Sequence, residues 1–455
     1  MFYNKTYNFV ILILITFFSC KKESNVGNSP SSEFEDFVQE TIILDDGGNV
    51  IETTIDISHF ASSQDCQECH AQQYEEWHKS MHAHSFDDPI FFNMWTHEKP
   101  LTSKNYCTQC HAPAAFVSNY NLDQVLTLND ISLLPDPIKD GVSCQFCHNA
   151  VNTSRGVETL DNFAAVAEYY LSVDKNVMFG SIQNPEANNF HESYYSEIYS
   201  NSGICLPCHD QSIKGMNIET TFKEWDDVFG MGGLESCQSC HMPIKADGTH
   251  DHSFVGVDYH DLTQDLNTIT ATEEYSKIME LMESSAQLEF YNISTDIVSN
   301  NSLNIPIKVT SFTGHKFPSG TTFSREAWIE LKVVDASGNM IYSSGVVDNF
   351  EDLDYDDEKL LSFTSWLIDS QGNITNNISE VDTYIDNTLN TMGIRLHDYN
   401  IFIDDNTEGP LIVYARLRFR PFKPSVLAES NPSLVNNIPI YDISSISQSI
   451  NILNQ

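Results

Sequence analysis

The sequence predicts a two-part chain: a first half of short helices and loops organised around something other than apolar side chains, and a second half built as an all-β, immunoglobulin-like sandwich. Two observations carry this. Between about residue 60 and about residue 262 one pentapeptide recurs five times: Cys66-Gln-Glu-Cys69-His70, Cys107-Thr-Gln-Cys110-His111, Cys144-Gln-Phe-Cys147-His148, Cys205-Leu-Pro-Cys208-His209 and Cys237-Gln-Ser-Cys240-His241. That stretch has few long apolar periodic runs, and with about 40 residues per repeat it cannot close a conventional core by itself. After Asn292 the pattern turns to period 2. Ile305-Pro-Ile307-Lys-Val309, the run Trp328 to Val334 and the run Leu411 to Phe419 alternate or are β-branched, which reads as an antiparallel sandwich of about 130 to 150 residues.

Taken in order, residues 1–20 read as a targeting segment. Lys5 gives a positive start, and Phe9 to Phe18 is an apolar run broken only by Thr16, too short to span a bilayer. It ends Phe17-Phe18-Ser19-Cys20. A small residue before a cysteine at this place resembles the lipobox of bacterial lipoproteins, which implies a lipidated Cys20 as mature N-terminus and an exported, periplasmic or outer-membrane protein, with a cell-surface location open. Residues 21–58 read as a tether followed by a small hairpin, Ile42-Ile43-Leu44 and Val50-Ile51 flanking Asp45-Asp46-Gly47-Gly48. Residues 59–265 hold the repeats. In 266–292, Tyr275, Ile278, Met279 and Met282 recur at helical spacing after Thr272, so one linking helix is expected. Residues 293–455 form the β half, without cysteine. Its acidic run Asp348 to Glu358 reads as a solvated loop, with calcium coordination as the alternative.

A C-x-x-C-H run is the sequence of covalent c-type haem attachment. The two thiols add to the porphyrin vinyl groups, and the adjacent histidine coordinates the iron. The chain has 11 cysteines; five motifs take ten and leave Cys20. No cysteine remains for an intramolecular disulfide or a separate catalytic thiol. Five haem c groups follow, with His70, His111, His148, His209 and His241 as proximal ligands. The competing reading, Cys/Cys/His zinc sites, needs a fourth ligand at each and leaves the fixed Cys-His adjacency unexplained.

A low-spin electron-transfer haem needs a second axial ligand, usually His or Met. Of 16 histidines, eleven remain: His59, His78, His82, His84, His97, His191, His250, His252, His260, His315 and His397. That suffices for full bis-histidine ligation, with Met81, Met94, Met231 and Met242 as weaker candidates. On a helix continuing from Cys66 through Trp77, His82 would lie about 18 Å along the axis from His70 and so would serve a different haem. His397, deep in the β half, reads as structural.

The run Cys66 to Ala83 resembles the opening of multihaem c-type cytochromes related to the tetrahaem cytochrome of nitrification and to hydroxylamine oxidoreductase. The resemblance implies distal roles for His82; for His191, upstream of Cys205-Leu-Pro-Cys-His-Asp210; and for His252, in Asp251-His252-Ser-Phe254 after Cys237-Gln-Ser-Cys-His-Met-Pro243. Thr313-Gly-His-Lys-Phe-Pro-Ser-Gly320 resembles a loop that opens the β-domain in related proteins, which implies that His315 reaches back to a haem. The fifth motif departs from the tetrahaem pattern, so the family's haem order does not transfer.

The expected function is electron transfer along a haem array, favoured by the surplus of histidines; no catalytic residue is assigned. The alternative is an oxidoreductase acting on a small nitrogen or sulfur compound at one haem with an open position. A surface-complex subunit whose β half docks a partner is compatible with the first. The net charge of −41 disfavours nucleic acid and anionic membrane surfaces and would steer a basic redox partner. The same acidity serves solubility in a salty medium, so charge alone names no partner.

Overall fold

The computed structural model describes residues 42–44, 50–53 and 55–453, apart from 103–104, 157–162, 164, 231–234 and 349. Residues 1–20, Cys20 included, and the tether lie outside this range, as does Met231. The two hairpin strands, Ile42–Leu44 and Val50–Thr53, pair antiparallel with Ile42 opposite Thr53.

The motif region is a string of short helices, each started by a local cap. Ser143 accepts the amide of Phe146 at 3.3 Å and begins Cys144–His148. Asp88 accepts the amides of Ile90 and Phe91, with Pro89 fixing the first turn of Pro89–Glu98, a ten-residue helix. The helix expected to run on from Cys66 is broken. Ser63–Cys66 and Ala71–His78 are separate, and His82 sits in the turns that follow. Trp77 anchors those turns by donating its indole N–H to Val142 O at 2.9 Å. Gly141, at φ +59°, lets the chain press on them: a Cβ there would stand 2.6 Å from His82 O. The apolar side chains gather in several small clusters, one around Phe116, Phe146 and Tyr169, another around Phe86, Trp95 and Ile138.

The second half is rich in β-strands. One six-stranded sheet runs in the order Asp296–Val298, Tyr441–Leu453, Leu411–Arg420, Glu326–Val334, Met340–Ser344, with Ser362–Phe363 also pairing to Glu326–Val334. A three-stranded sheet runs Ile394–Ile403, Asn301–Ser311, Ala286–Phe290. Every second residue of Asn301–Ser311 is buried, and Leu303, Ile305, Ile307 and Val309 share one core with Ile329, Leu331, Val333, Val413 and Leu417 of the larger sheet. The turn after Val334 follows from its residues: Asp335 accepts the amides of Ser337 and Asn339, and Gly338 takes φ +84°. The linking helix is Glu273–Ser285, capped by Thr272, with Ile278 and Met282 packed into the β core. In the acidic run the side chains turn to separate partners, Asp352 to Ser425 and Asp357 to Ser344. Among the described residues no three carboxylates, histidines or cysteines converge as they would on a bare ion.

The halves meet through polar contacts around a mixed apolar cluster. Tyr106, Ile213 and Ile218 pack with Phe323, Leu367 and Val381. Asn93 donates to Ser430 O at 2.6 Å, Lys214 to Val381 O at 2.8 Å, and Arg325 pairs with Asp258 at 2.8 Å.

Candidate haem-binding centres

Four of the five motif histidines face a second imidazole. The ring centroids are 6.4 Å apart for His70 and His191, 6.2 Å for His148 and His252, 6.3 Å for His241 and His315, and 6.2 Å for His209 and His82. The interplanar angles range from 19° to 86°. Packed aromatic rings change separation with tilt. Two imidazoles on one metal do not, because rotation about a metal–nitrogen bond leaves its length alone. A bond of about 2 Å on each side, plus a little over 1 Å from nitrogen to ring centre, predicts about 6.3 Å. The constant distance at variable angle is the spacing that two imidazoles binding one metal ion between them would have. His82 faces a motif more than a hundred residues away in sequence, not its neighbour His70.

The second ring nitrogens are held in place. Nδ1 of His148 donates to Phe179 O at 2.7 Å, of His241 to Val255 O at 2.6 Å, of His111 to Ser85 O at 2.7 Å, of His252 to His250 O at 2.9 Å and of His315 to Lys316 O at 2.9 Å. A carbonyl only accepts, so each Nδ1 carries the proton and each Nε2 keeps its lone pair, the form that binds metal. Burial reinforces this. Desolvation first, then neighbouring imidazoles, push His82 down to about 3; desolvation likewise takes His111, His252 and His315 to about 4.

Short elements bring the partners together. Strand Val177–Gly180, which supplies Phe179 O, pairs parallel with Glu192–Tyr195, the segment that starts after His191. Glu76, one turn past motif 1, accepts the amide of His252 at 2.9 Å and pairs with Lys245. The His315 loop is clamped by Glu224, whose carboxylate accepts the Lys316 amide at 3.0 Å and the Ser319 hydroxyl at 2.7 Å. Phe254 stands edge-on to His82 at 4.4 Å and to His252 at 5.9 Å.

His111 differs. Among the described residues no imidazole opposes it; the Phe91 ring lies flat against it at 3.6 Å. The histidine surplus does not furnish a fifth pair. His59 bonds Asn149, His250 bonds Met242 O, His97 lies beside Glu98, and His397 packs on Tyr399 in the β half. His78, His84 and His260 form a row, tilted at the first contact and stacked at the second, closed by Asp87 and Glu274.

Among the described residues no cysteine is in a disulfide, and the neighbours of the ten motif cysteines order the motifs. Cys66 lies beside Cys144, Cys110 beside Cys208, and Cys205 beside Cys237. Cys147 in turn lies near Cys208. Motif 1 thus adjoins motif 3, motif 3 adjoins motif 4, and motifs 2 and 5 both meet motif 4. Serines fix this register: Ser63 Oγ accepts the Cys144 amide at 3.2 Å and Ser202 Oγ the Cys237 amide at 2.9 Å. Tyr169 O–H reaches both Gln109 O and the Cys208 sulfur. These supporting residues carry no sequence signal, because each acts on a motif distant in the chain.

One cavity of about 2190 Å³ touches all five motifs and all four partner histidines. It far exceeds the roughly 300–1,000 Å³ of a pocket for one small ligand. The lining is mainly apolar, and each motif offers its thiols and imidazole without converging them on a point. The residues fit large flat macrocycles held at the rim by thiols and on both faces by imidazoles, and do not fit bare zinc.

These features define a multihaem c-type cytochrome fold, and comparison with known proteins agrees. The profile of the family "Cytochrome c554 and c-prime" matches residues 65–149. Among solved structures, a penta-heme cytochrome c552 from Thermochromatium tepidum aligns over 87% of this chain and 100% of its own, with TM-score 0.62 and 20% identity. At that identity the likeness is one of fold. A CARDB domain from Pyrococcus furiosus, 7% identical, covers 37% of this chain and 86% of its own at TM-score 0.16, too low to carry an argument. No curated protein matches the sequence.

Proposed function

We propose that this chain is an exported, lipid-anchored electron-transfer protein carrying five haem c groups, relaying electrons along an array that branches at motif 4. The observation that carries this reading is the set of four imidazole pairs at constant separation inside one cavity shared by five C-x-x-C-H motifs. Bound haem c supplies one-electron exchange between ferric and ferrous iron. The chain's own residues do the rest. The cysteine pairs would hold each haem covalently, and the four histidine pairs would hold iron between them and leave no place for a substrate there. Trp77, Phe222, Trp225 and Phe254 line the cavity and exclude water. Glu76 and Glu224 fix the segments bearing His252 and His315. Among the described residues no helix is long and apolar enough to cross a membrane; attachment falls to a lipid on Cys20, and the acidic surface suits a basic redox partner.

The test is a haem count by mass and pyridine haemochrome on protein matured in a host that makes c-type cytochromes, with an electron paramagnetic resonance (EPR) spectrum of the oxidised form. Five haems, with low-spin signals from the paired centres, are expected. Fewer than five at full maturation would overturn the count.

A second reading, oxidoreductase chemistry on a small nitrogen or sulfur compound, is favoured by one observation: His111 has no imidazole partner among the described residues. Turnover of such a compound, lost when the His111 centre is blocked by cyanide, would select it over simple relay.

A further inference from the structure

We propose that Glu219 is a charge-tuning and positioning residue for the His209 centre, lowering its reduction potential relative to what a neutral hydrogen-bond partner would give. The inference rests on the multihaem reading above and concerns the motif at which motifs 2, 3 and 5 converge.

Three observations carry it. First, Glu219 Oε1 lies 3.3 Å from His209 Nδ1. The motif histidines His111, His148 and His241 give the corresponding proton to a neutral backbone carbonyl instead. Among the described residues His209 is the motif histidine backed by a carboxylate. Second, Glu219 is built in. It ends strand Met216–Glu219, paired to Gln211, and its other oxygen accepts the Thr221 hydroxyl at 3.3 Å. No lysine or arginine among the described residues forms an ion pair with it, and the nearby Arg325 guanidinium is engaged by Asp258 at 2.8 Å. Third, the β half closes over it. Gly320 sits at φ +81°, and a Cβ there would stand 3.3 Å from Glu219 Oε2 and 2.6 Å from the Arg325 guanidinium. The loop that carries His315 can approach Glu219 this closely only with glycine at that position.

The physical consequence follows from the levers on a metal ligand. A carboxylate accepting the Nδ1 proton draws the imidazole toward imidazolate, so Nε2 becomes a stronger donor. A stronger donor and a nearby negative charge both favour ferric over ferrous iron.

The experiment is a spectroelectrochemical titration of the full-length holoprotein with Glu219→Gln, which keeps an acceptor and removes the charge. One midpoint potential should move upward while the others stay within error, and the EPR g-values of the His82–His209 centre should move with it. Glu219→Asp should restore a potential near the wild type. If Glu219→Gln fails to incorporate haem, Thr221→Val, which strips one hydrogen bond from the carboxylate, gives a smaller shift of the same centre. A full haem complement with every midpoint unmoved in Glu219→Gln, or a shift at a different centre, overturns this inference alone. A wild-type protein lacking the expected haems overturns the reading beneath it.

Discussion

At the scale of single residues, the distances between histidines are uniform and their angles are not. Three pairs are near-parallel, at 19° to 29°, and His82 stands at 86° to His209. The His241–His315 pair lies between Val255 O and Lys316 O, one from the end of the motif region and one from the β half. His315→Ala should therefore convert one centre from low to high spin and add one carbon monoxide site on reduction. Difference spectra of the reduced protein check this; an unchanged spin state and ligand stoichiometry would remove His315 from the ligand set. The other centres should not respond, because their anchors lie elsewhere.

At the scale of elements, the helix Pro89–Glu98 shows a cap doing two jobs. Asp88 starts it and at the same time faces the cavity. Burial raises its carboxyl to about 6, with the amides of Phe91 and Ile90 and the nearby Asp258 charge modulating that. The folded form thus holds its proton more tightly than the unfolded chain does. This contribution to stability is present below the unfolded value near 4 and is lost as pH rises through about 6. Partial exposure and screening limit it to about 1–2 kcal/mol. Asparagine caps a helix about as well as aspartate. Asp88→Asn should therefore match the wild type near pH 3.5 and exceed it near pH 7, read as urea midpoints at the two values. A variant less stable at both would mean that the charge itself is needed. The short helices around each motif share this economy. Caps such as Ser143 and Asp88 start them, and tertiary contacts rather than length sustain them.

At the scale of the whole molecule, a haem-free β half is fastened to the motif region at several points, among them Glu224 on the His315 loop and Arg325 on Asp258. The net charge of −41 surrounds this assembly. Electron exchange with a basic partner should slow by about an order of magnitude between roughly 0.01 and 0.5 M salt, since exposed charges are screened over that range. Cys20→Ala should move the protein from the membrane to the soluble fraction, since the acidic surface gives no affinity for anionic lipid. Fractionation of matured cells checks it, and unchanged retention would require another anchor.

The five motifs, the change from helical to period-2 patterning near residue 292 and the linking helix were legible in the sequence because each is a local code. Cys-x-x-Cys-His adjacency fixes the attachment chemistry, alternation fixes which side of a strand is buried, and Thr272 with Ile278 and Met282 fixes a helix and its face. Resemblance to a known family points to His82, His191, His252 and His315, but neither spacing nor composition says which motif each one faces. That depends on contacts across long stretches of chain, such as Glu76 to His252 and Glu224 to the His315 loop. That no imidazole among the described residues opposes His111 was invisible, because eleven spare histidines look sufficient until each is seen among its neighbours. The meeting of motifs at Cys205 and Cys208, and the carboxylate behind His209, exist only once the chain has folded. A thiol or a glutamate carries no mark of the neighbour it will touch, and tertiary packing alone supplies that neighbour.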